Sequence, residues 1–153
     1  MTLNRNMKEG GTYALVIPLG AELHLPVGKM GISILPAGYY VYAGSALGGL
    51  SGRLRHHLRS EKKLHWHIDY LLQQAPVEEI WYSPGPDKIE CRWNAILQAL
   101  PCAIPAISGF GSSDCSCSSH LTRFVARPLF CLFSEYLKNN RLPEAHRLVE
   151  LGF

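Results

Sequence analysis

Two tyrosines stand where paired strands would bring them together. Tyr13 follows Gly11-Thr12, and Tyr42 precedes Ala43-Gly44-Ser45. Both phenols can then approach one end of the sheet, and Gly44 would let a substrate or helix come close to the backbone there. The next stretch is the most charge-biased in the chain. Arg53, Arg55, Arg59, Lys62 and Lys63, with His56 and His57, surround Glu61 as the only acid. On a helix, Arg55, Arg59 and Lys62 share one side, while Arg53 and His57 lie on another stripe beside Leu54 and Leu58. The basic outer side suits contact with a phosphate backbone. An arginine turned toward the sheet suits charge stabilisation at a reacting phosphate. Glu90 supplies a carboxylate in the first turn of a predicted helix. A lone carboxylate there can hold one hard ion, Mg²⁺ or Mn²⁺, which keeps most of its waters.

A second constellation is Cys115-x-Cys117-x₂-His120, preceded by Asp114. Thiolate and imidazole this close can clamp Zn²⁺, with Cys91 as fourth ligand if the loop folds back onto the Glu90 helix. The competing reading is small buried hydrophobes and a loop histidine. Cys102 and Cys131 read as core. The third cluster is His65-Trp66-His67-Ile68-Asp69, whose His67 and Asp69 either contact nucleic acid or buttress the pocket. Plainer roles stand beside each candidate. The tyrosines are β-prone and suit strand packing. The basic run suits a solvated helix face. Glu90 suits the positive end of a helix dipole, and Arg53 suits a surface salt bridge with Glu61 or Asp69.

These residues need elements to hold them. Residues 12–19 read as a strand, 22–27 as a return strand, 32–35 as a sheet edge and 39–43 as a strongly β-prone strand. Ser51 is the expected N-cap of a helix over 52–60. A second helix is expected over 65–74, with Trp66, Tyr70 and Leu71 facing the core. A strand follows at 77–82. Asp87 is the expected cap of a helix to Leu100, with Ile89, Trp93, Ile96, Leu97 and Leu100 on one face. Beyond Pro101 the chain becomes loop-like until a short strand at Phe124-Val125. Leu129–Leu137 suits a helix or a strand, and Pro143–Leu151 a short terminal helix. The order argues for an α+β fold, a small antiparallel sheet flanked by helices, with a C-terminal extension.

Composition sets the outer limits. The chain has 153 residues, 47% hydrophobic and 18% charged, with a formal net charge of +3. That suits one domain over 1–153, with a core at 11–100 and a Cys/His-containing segment at 101–153 packed on it. No long apolar run suits a membrane span, and Met1 to Gly11 carry no apolar core of a signal peptide. Five cysteines, an odd number with two in a tight pair, disfavour a disulfide framework. The expectation is a cytoplasmic protein with reduced thiols.

The order Gly11-Thr12-Tyr13, Tyr42-Ala43-Gly44-Ser45, Arg53 with His57, then a helical Glu90 resembles the GIY-YIG nuclease superfamily over residues 11–100. Lys63 to Leu72 and Gly109 to Leu121 resemble one branch more closely, the prokaryotic Uri-type endonucleases. The resemblance implies a three-stranded antiparallel sheet flanked by helices. It implies hydrolysis of a nucleic-acid phosphodiester, with DNA the expected substrate by analogy alone. Tyr13 would act as general base or orient the attacking water. Arg53 would stabilise the phosphate, Glu90 would be the sole protein ligand of the divalent ion, and Tyr42 would line the same pocket. Arg55, His57, Arg59, Lys62, Lys63 and His67 are the expected nucleic-acid contacts. Thr12 and Ala43 replace aliphatic motif residues, the gap between the motifs leaves room for an extra hairpin, and the lead-in from Ala46 to Gly52 is a residue long. Arg55 is therefore the alternative to Arg53, and Asn94 is available as the late motif asparagine. Two rival functions fit the same residues: a non-catalytic nucleic-acid-binding module, and a zinc-stabilised interaction domain.

Overall fold

The central strand, β1 (Gly11–Leu19), is buried on both faces for most of its length, as its almost unbroken apolar run requires. In a computed structural model describing residues 5–149 and 151, it pairs antiparallel with β4 (Gly38–Ala46) on one side and β5 (Glu79–Pro84) on the other. Between β1 and β4 the extra hairpin is present, β2 (Leu23–Pro26) with β3 (Ile32–Leu35), as a separate two-stranded sheet. Residues 1–4, 150, 152 and 153 lie outside the described set, and with them the start of the polar N-terminal segment.

Period-two alternation divides the core in two. Tyr13, Leu15 and Ile17 face Leu50 and Leu54 of α1 (Leu50–Leu58) and Ile68 and Leu71 of α2 (His67–Leu72). Ala14, Val16, Val41, Ala43 and Trp81 face the opposite way. They meet Trp93, Ile96 and Leu97 of α3 (Glu90–Ala99), and Phe133 and Leu137 of α4 (Phe130–Asn139). The result is an α+β arrangement with helices on both faces of an antiparallel sheet.

That sheet is wider than the expected small one. The C-terminal segment does not merely pack on the core: it supplies three strands. In β7 (Leu121–Phe124), Leu121 pairs with Tyr42 and Phe124 with Tyr39. The two-residue β6 (Ile104–Pro105) adds to β7. At the other edge β8 (His146–Leu148) pairs with β5, giving the order β6-β7-β4-β1-β5-β8. In place of the terminal helix expected over 143–151, residues 146–148 form a strand, and no helix is present there among the described residues. Arg147 there meets the buried carboxylate of Glu79 at 2.9 Å, and a buried carboxylate without a partner would be costly.

Local starts also differ. Helix α1 begins at Leu50, ahead of Ser51, because Gly49 at φ 136° turns the chain straight out of β4. Helix α3 begins at Glu90 with Ile89 in the cap position, not Asp87. Trp66 and Tyr70 are half-buried, and the buried members of α2 are Ile68, Asp69 and Leu71. Cys102 and Cys131, expected in the core, are exposed. Cys102 sits in a left-handed turn at φ 63°, and Cys131 lies on the solvent side of α4. No described helix is long and apolar enough to cross a membrane.

Candidate functional site

Strand register sets the two tyrosines. Tyr13 pairs with Gly44, so Tyr42, two residues earlier, projects from the same face. Their ring centroids lie 6.4 Å apart. Tyr42 borders a cleft of about 340 Å³ that also takes Gly44, Ser45, Arg53, Trp66, Lys88, Glu90, Asp114, Cys115 and His120 in its walls. Tyr13 stands behind that wall, 1% exposed, with its hydroxyl 2.7 Å from His57 Nε2. Only a residue without a side chain fits between them. A Cβ on Gly44 would lie 2.6 Å from the Tyr13 hydroxyl and 3.1 Å from the Tyr42 ring. Gly44→Ala is therefore expected to displace one ring, break the Tyr13–His57 bond and cost about 1–3 kcal/mol, read as a lower urea midpoint.

Arg53 enters the cleft from the first turns of α1. Its guanidinium lies 4.2 Å from the Trp66 ring centroid and donates to the Ser45 carbonyl at 2.9 Å. This is neither the expected surface salt bridge with Glu61 nor one with Asp69. The stack on Trp66 fixes the planar fork while leaving it turned to the cleft. Arg55 is exposed on the outer side of the helix and does not replace it. Glu90 opens α3 on the far wall. One carboxylate oxygen is 3.6 Å from Lys88 Nζ, and the other is buried with no hydrogen-bond partner among the described residues.

Burial governs the protons. It pushes the Tyr13 phenol up to about 12 against the opposing influence of Arg53, and it raises Tyr42 too. Neither phenol is ionised at neutral pH. Burial likewise drives His57 down to about 3 from 6.5, although Asp69 works the other way. The unfolded chain therefore binds a proton over that window that the native chain refuses, so stability falls as pH falls through it. Between pH ~6.5 and ~4.5 the expected loss is roughly 2–3 kcal/mol. Urea midpoints across that range should slope less in His57→Gln than in wild type, and equal slopes would contradict the assignment.

The second cluster assembles as its residue types suggested. One ligating atom from each of Cys91, Cys115, Cys117 and His120 lies within 4.8 Å of all the others. Cys115 Sγ is 3.2 Å, and Cys91 Sγ 3.7 Å, from His120 Nε2. Three thiols and an imidazole make a donor set for a metal ion. His120 Nδ1 meets the Ala43 carbonyl at 3.0 Å, which leaves Nε2 free as the ligating atom. Burial and the neighbouring Cys117 and Cys115 sulfurs push the Cys91 thiol up to about 12, and burial also raises Cys117.

Residues 12–139 match the family model described as Domain of unknown function DUF123. The chain belongs to the DUF123 family. No curated protein and no solved structure matches it.

Within this DUF123 domain the expected nucleic-acid contacts divide. Arg55, Arg59 and Lys63 are exposed. His57 is 2% exposed beneath α1 and cannot touch a macromolecule. Lys62 spends its ammonium on the His56 and His57 carbonyls, at 3.3 and 2.7 Å, closing the C-terminal end of the helix. His67 Nδ1 accepts the Gly111 N–H at 2.9 Å and anchors the cysteine loop. Asn94 is buried and donates to the Ser119 carbonyl at 2.7 Å, bracing that loop rather than lining the cleft. Sequence reasoning missed two members of the site. Trp66, expected to face the core, does pack against it half-buried, and it also carries Arg53. Lys88, two residues before Glu90, was not singled out.

Proposed function

We propose that this domain is a divalent-metal-dependent nuclease-like hydrolase of nucleic-acid phosphodiesters, DNA being the expected substrate. The observation that carries the reading is the single cleft lined by Tyr42, Arg53 and Glu90, whose carboxylate keeps one buried oxygen without a partner among the described residues, with Tyr13 directly behind Gly44. The resemblance to GIY-YIG and Uri-type nucleases assigns roles to the same four residues. Exposed Arg55, Arg59 and Lys63 supply a basic approach for the strand.

Glu90 is the residue that would hold the catalytic ion, because an orphaned carboxylate oxygen at a cleft suits a hard cation. Such an ion, Mg²⁺ or Mn²⁺, would supply Lewis-acid stabilisation of phosphoryl charge. The protein's own groups do the rest. Arg53 pairs with the non-bridging oxygens as charge builds on them. Tyr42 orients a water from the strand side as a neutral phenol, with the Tyr13 hydroxyl against the Gly44 backbone behind it. The water oxygen forms its bond to phosphorus as the bond to the 3′ oxygen breaks, and that oxygen takes a proton from solvent. The attacking water loses its proton to the Tyr13–His57 pair. The Cys91, Cys115, Cys117 and His120 donor set would hold a structural Zn²⁺, which ties α3 and its Glu90 to the loop and to β4.

The test is an assay on single-stranded, duplex and branched DNA with Mg²⁺ or Mn²⁺, on protein purified without chelator. Metal-dependent cleavage supports the reading. Salt-sensitive binding without cleavage would replace it with a non-catalytic binding module.

A further inference from the structure

Asp69 is a fully buried carboxylate facing two imidazoles. In the first turn of α2, one oxygen accepts the backbone N–H groups of His65 and Trp66 at 2.8 and 2.9 Å. The other oxygen lies 3.0 Å from His56 Nε2 and 3.9 Å from His57 Nδ1. Burial alone would raise the Asp69 carboxyl, but the two backbone donors and His56 outweigh it and hold it below the usual range. The buried His57 Nδ1 has no hydrogen-bond partner among the described residues, and Asp69 is the carboxylate beside it. The remaining polar neighbours of that ring are Tyr13 at Nε2, His56, Arg53, the edge of Tyr42 and the Lys62 ammonium bonded to the helix carbonyls.

We propose that Asp69 is a positioning residue that fixes neutral His57 as its Nδ1–H tautomer, so that Nε2 accepts the Tyr13 hydroxyl proton. The other tautomer would set a nitrogen lone pair against a buried carboxylate, which is repulsive in a medium of low dielectric. With Nδ1–H facing Asp69, the Tyr13 proton has one destination. The phenol oxygen then meets the Gly44 side only as an acceptor.

The catalytic consequence rests on the nuclease reading, whereas the tautomer does not. During attack the water's O–H bond breaks and its proton joins the Tyr13 oxygen. The proton already on that oxygen passes to His57 Nε2. The phenol ends neutral, and the imidazolium charge, which burial opposes and Asp69 favours, forms only for as long as the proton rests on the ring. No phenolate is needed, although burial has made one costly.

Ring-nitrogen NMR shifts of the full-length chain at neutral pH test the tautomer. The expected result for His57 is a protonated Nδ1 and an unprotonated, hydrogen-bonded Nε2. In Asp69→Asn the two backbone N–H groups retain the amide oxygen, so the amide nitrogen turns toward the rings and becomes a donor to them. The expected outcome is inversion of the His57 tautomer and a roughly 10²-fold fall in kcat on DNA, with little change in KM. A wild-type ring protonated on Nε2, or a folded Asp69→Asn chain with the wild-type pattern, overturns the proposal. Should Asp69→Asn not fold, Tyr13→Phe decides. Its ring must keep the proton on Nδ1 if Asp69 sets the tautomer, and a proton that moves to Nε2 contradicts it. A wild-type chain with the expected pattern that cleaves no nucleic acid ends the nuclease reading and leaves the hold of Asp69 on the ring in place.

Discussion

Arg53→Ala is expected to lower kcat on DNA by about 10³-fold while leaving the chain folded. Arg53 is half-exposed, and its polar contact is one backbone carbonyl, so its loss falls in the range of ordinary surface changes for stability. Its loss from the cleft is another matter. A planar fork stacked on Trp66 and aimed at the same space as an unpartnered Glu90 oxygen has little else to balance it. Arg53→Lys is expected to recover only a small part of the rate. An ammonium lacks the bidentate geometry and stacks less well on the indole. Glu90→Gln should act differently: half-maximal cleavage should need more Mg²⁺, because the amide removes the charge that would hold the ion. Cleavage that persists at wild-type rate in both Arg53→Ala and Glu90→Gln would remove this cleft as the active site.

The parts of the fold legible in the sequence were those set by local pattern. The apolar run from Tyr13 to Ile17 could only be a buried strand, and Leu54 with His57 marked the inner stripe of α1. Pairing across long separations left no such mark. Residues 146–148 carry no strong period, and they become a strand because β5 offers an edge and Glu79 needs Arg147. The same holds for β7, which pairs with β4 at Tyr42 from the far end of the cysteine loop.

The candidate site divides in the same way. Residue types and order were enough to single out Tyr42, Arg53 and Glu90, and to add Cys91 to Cys115, Cys117 and His120. They could not say that Tyr13 lies behind Gly44, because that depends on which residue of β4 sits opposite it. Spacing did set His57 on the inner stripe of α1 and Arg55 on the outer one, but it could not say that the inner imidazole would be closed off from a nucleic acid. His65 to Asp69 resisted reading for a related reason. Its members serve three neighbours: Trp66 carries Arg53, His67 holds the loop, and Asp69 faces His56 and His57.

Protein purified without chelator is expected to carry one Zn²⁺ per chain, and stripping it should lower the melting temperature by roughly 10 °C or more. Tetrahedral zinc with ordinary bond lengths places sulfur and nitrogen ligands about 3.6 Å apart. The thiol-to-imidazole distances of 3.2 and 3.7 Å bracket that separation. Without a cation, raised thiols on Cys91 and Cys117 would stay protonated around a histidine already committed to the Ala43 carbonyl. Such a cluster gains little from being assembled, whereas a bound metal deprotonates its thiols and stabilises the whole arrangement. Backbone bonds from Gly109 to Ser118 and from His120 to Phe110 close the ends of the loop from Gly109 to His120, so the ion would chiefly hold the stretch from Asp114 to Cys117. Asn94 and Gln98 hold the Ser119 carbonyl, and His67 holds Gly111. Loss of the ion should therefore speed hydrogen exchange first in that stretch and in the first turn of α3. Because Glu90 precedes Cys91 in that turn, cleavage should fall together with zinc content, and Mg²⁺ should not restore it. Cys117→Ser is expected to reproduce both effects. A chain that holds no zinc and melts identically with and without chelator would reduce the four residues to a chance meeting of side chains.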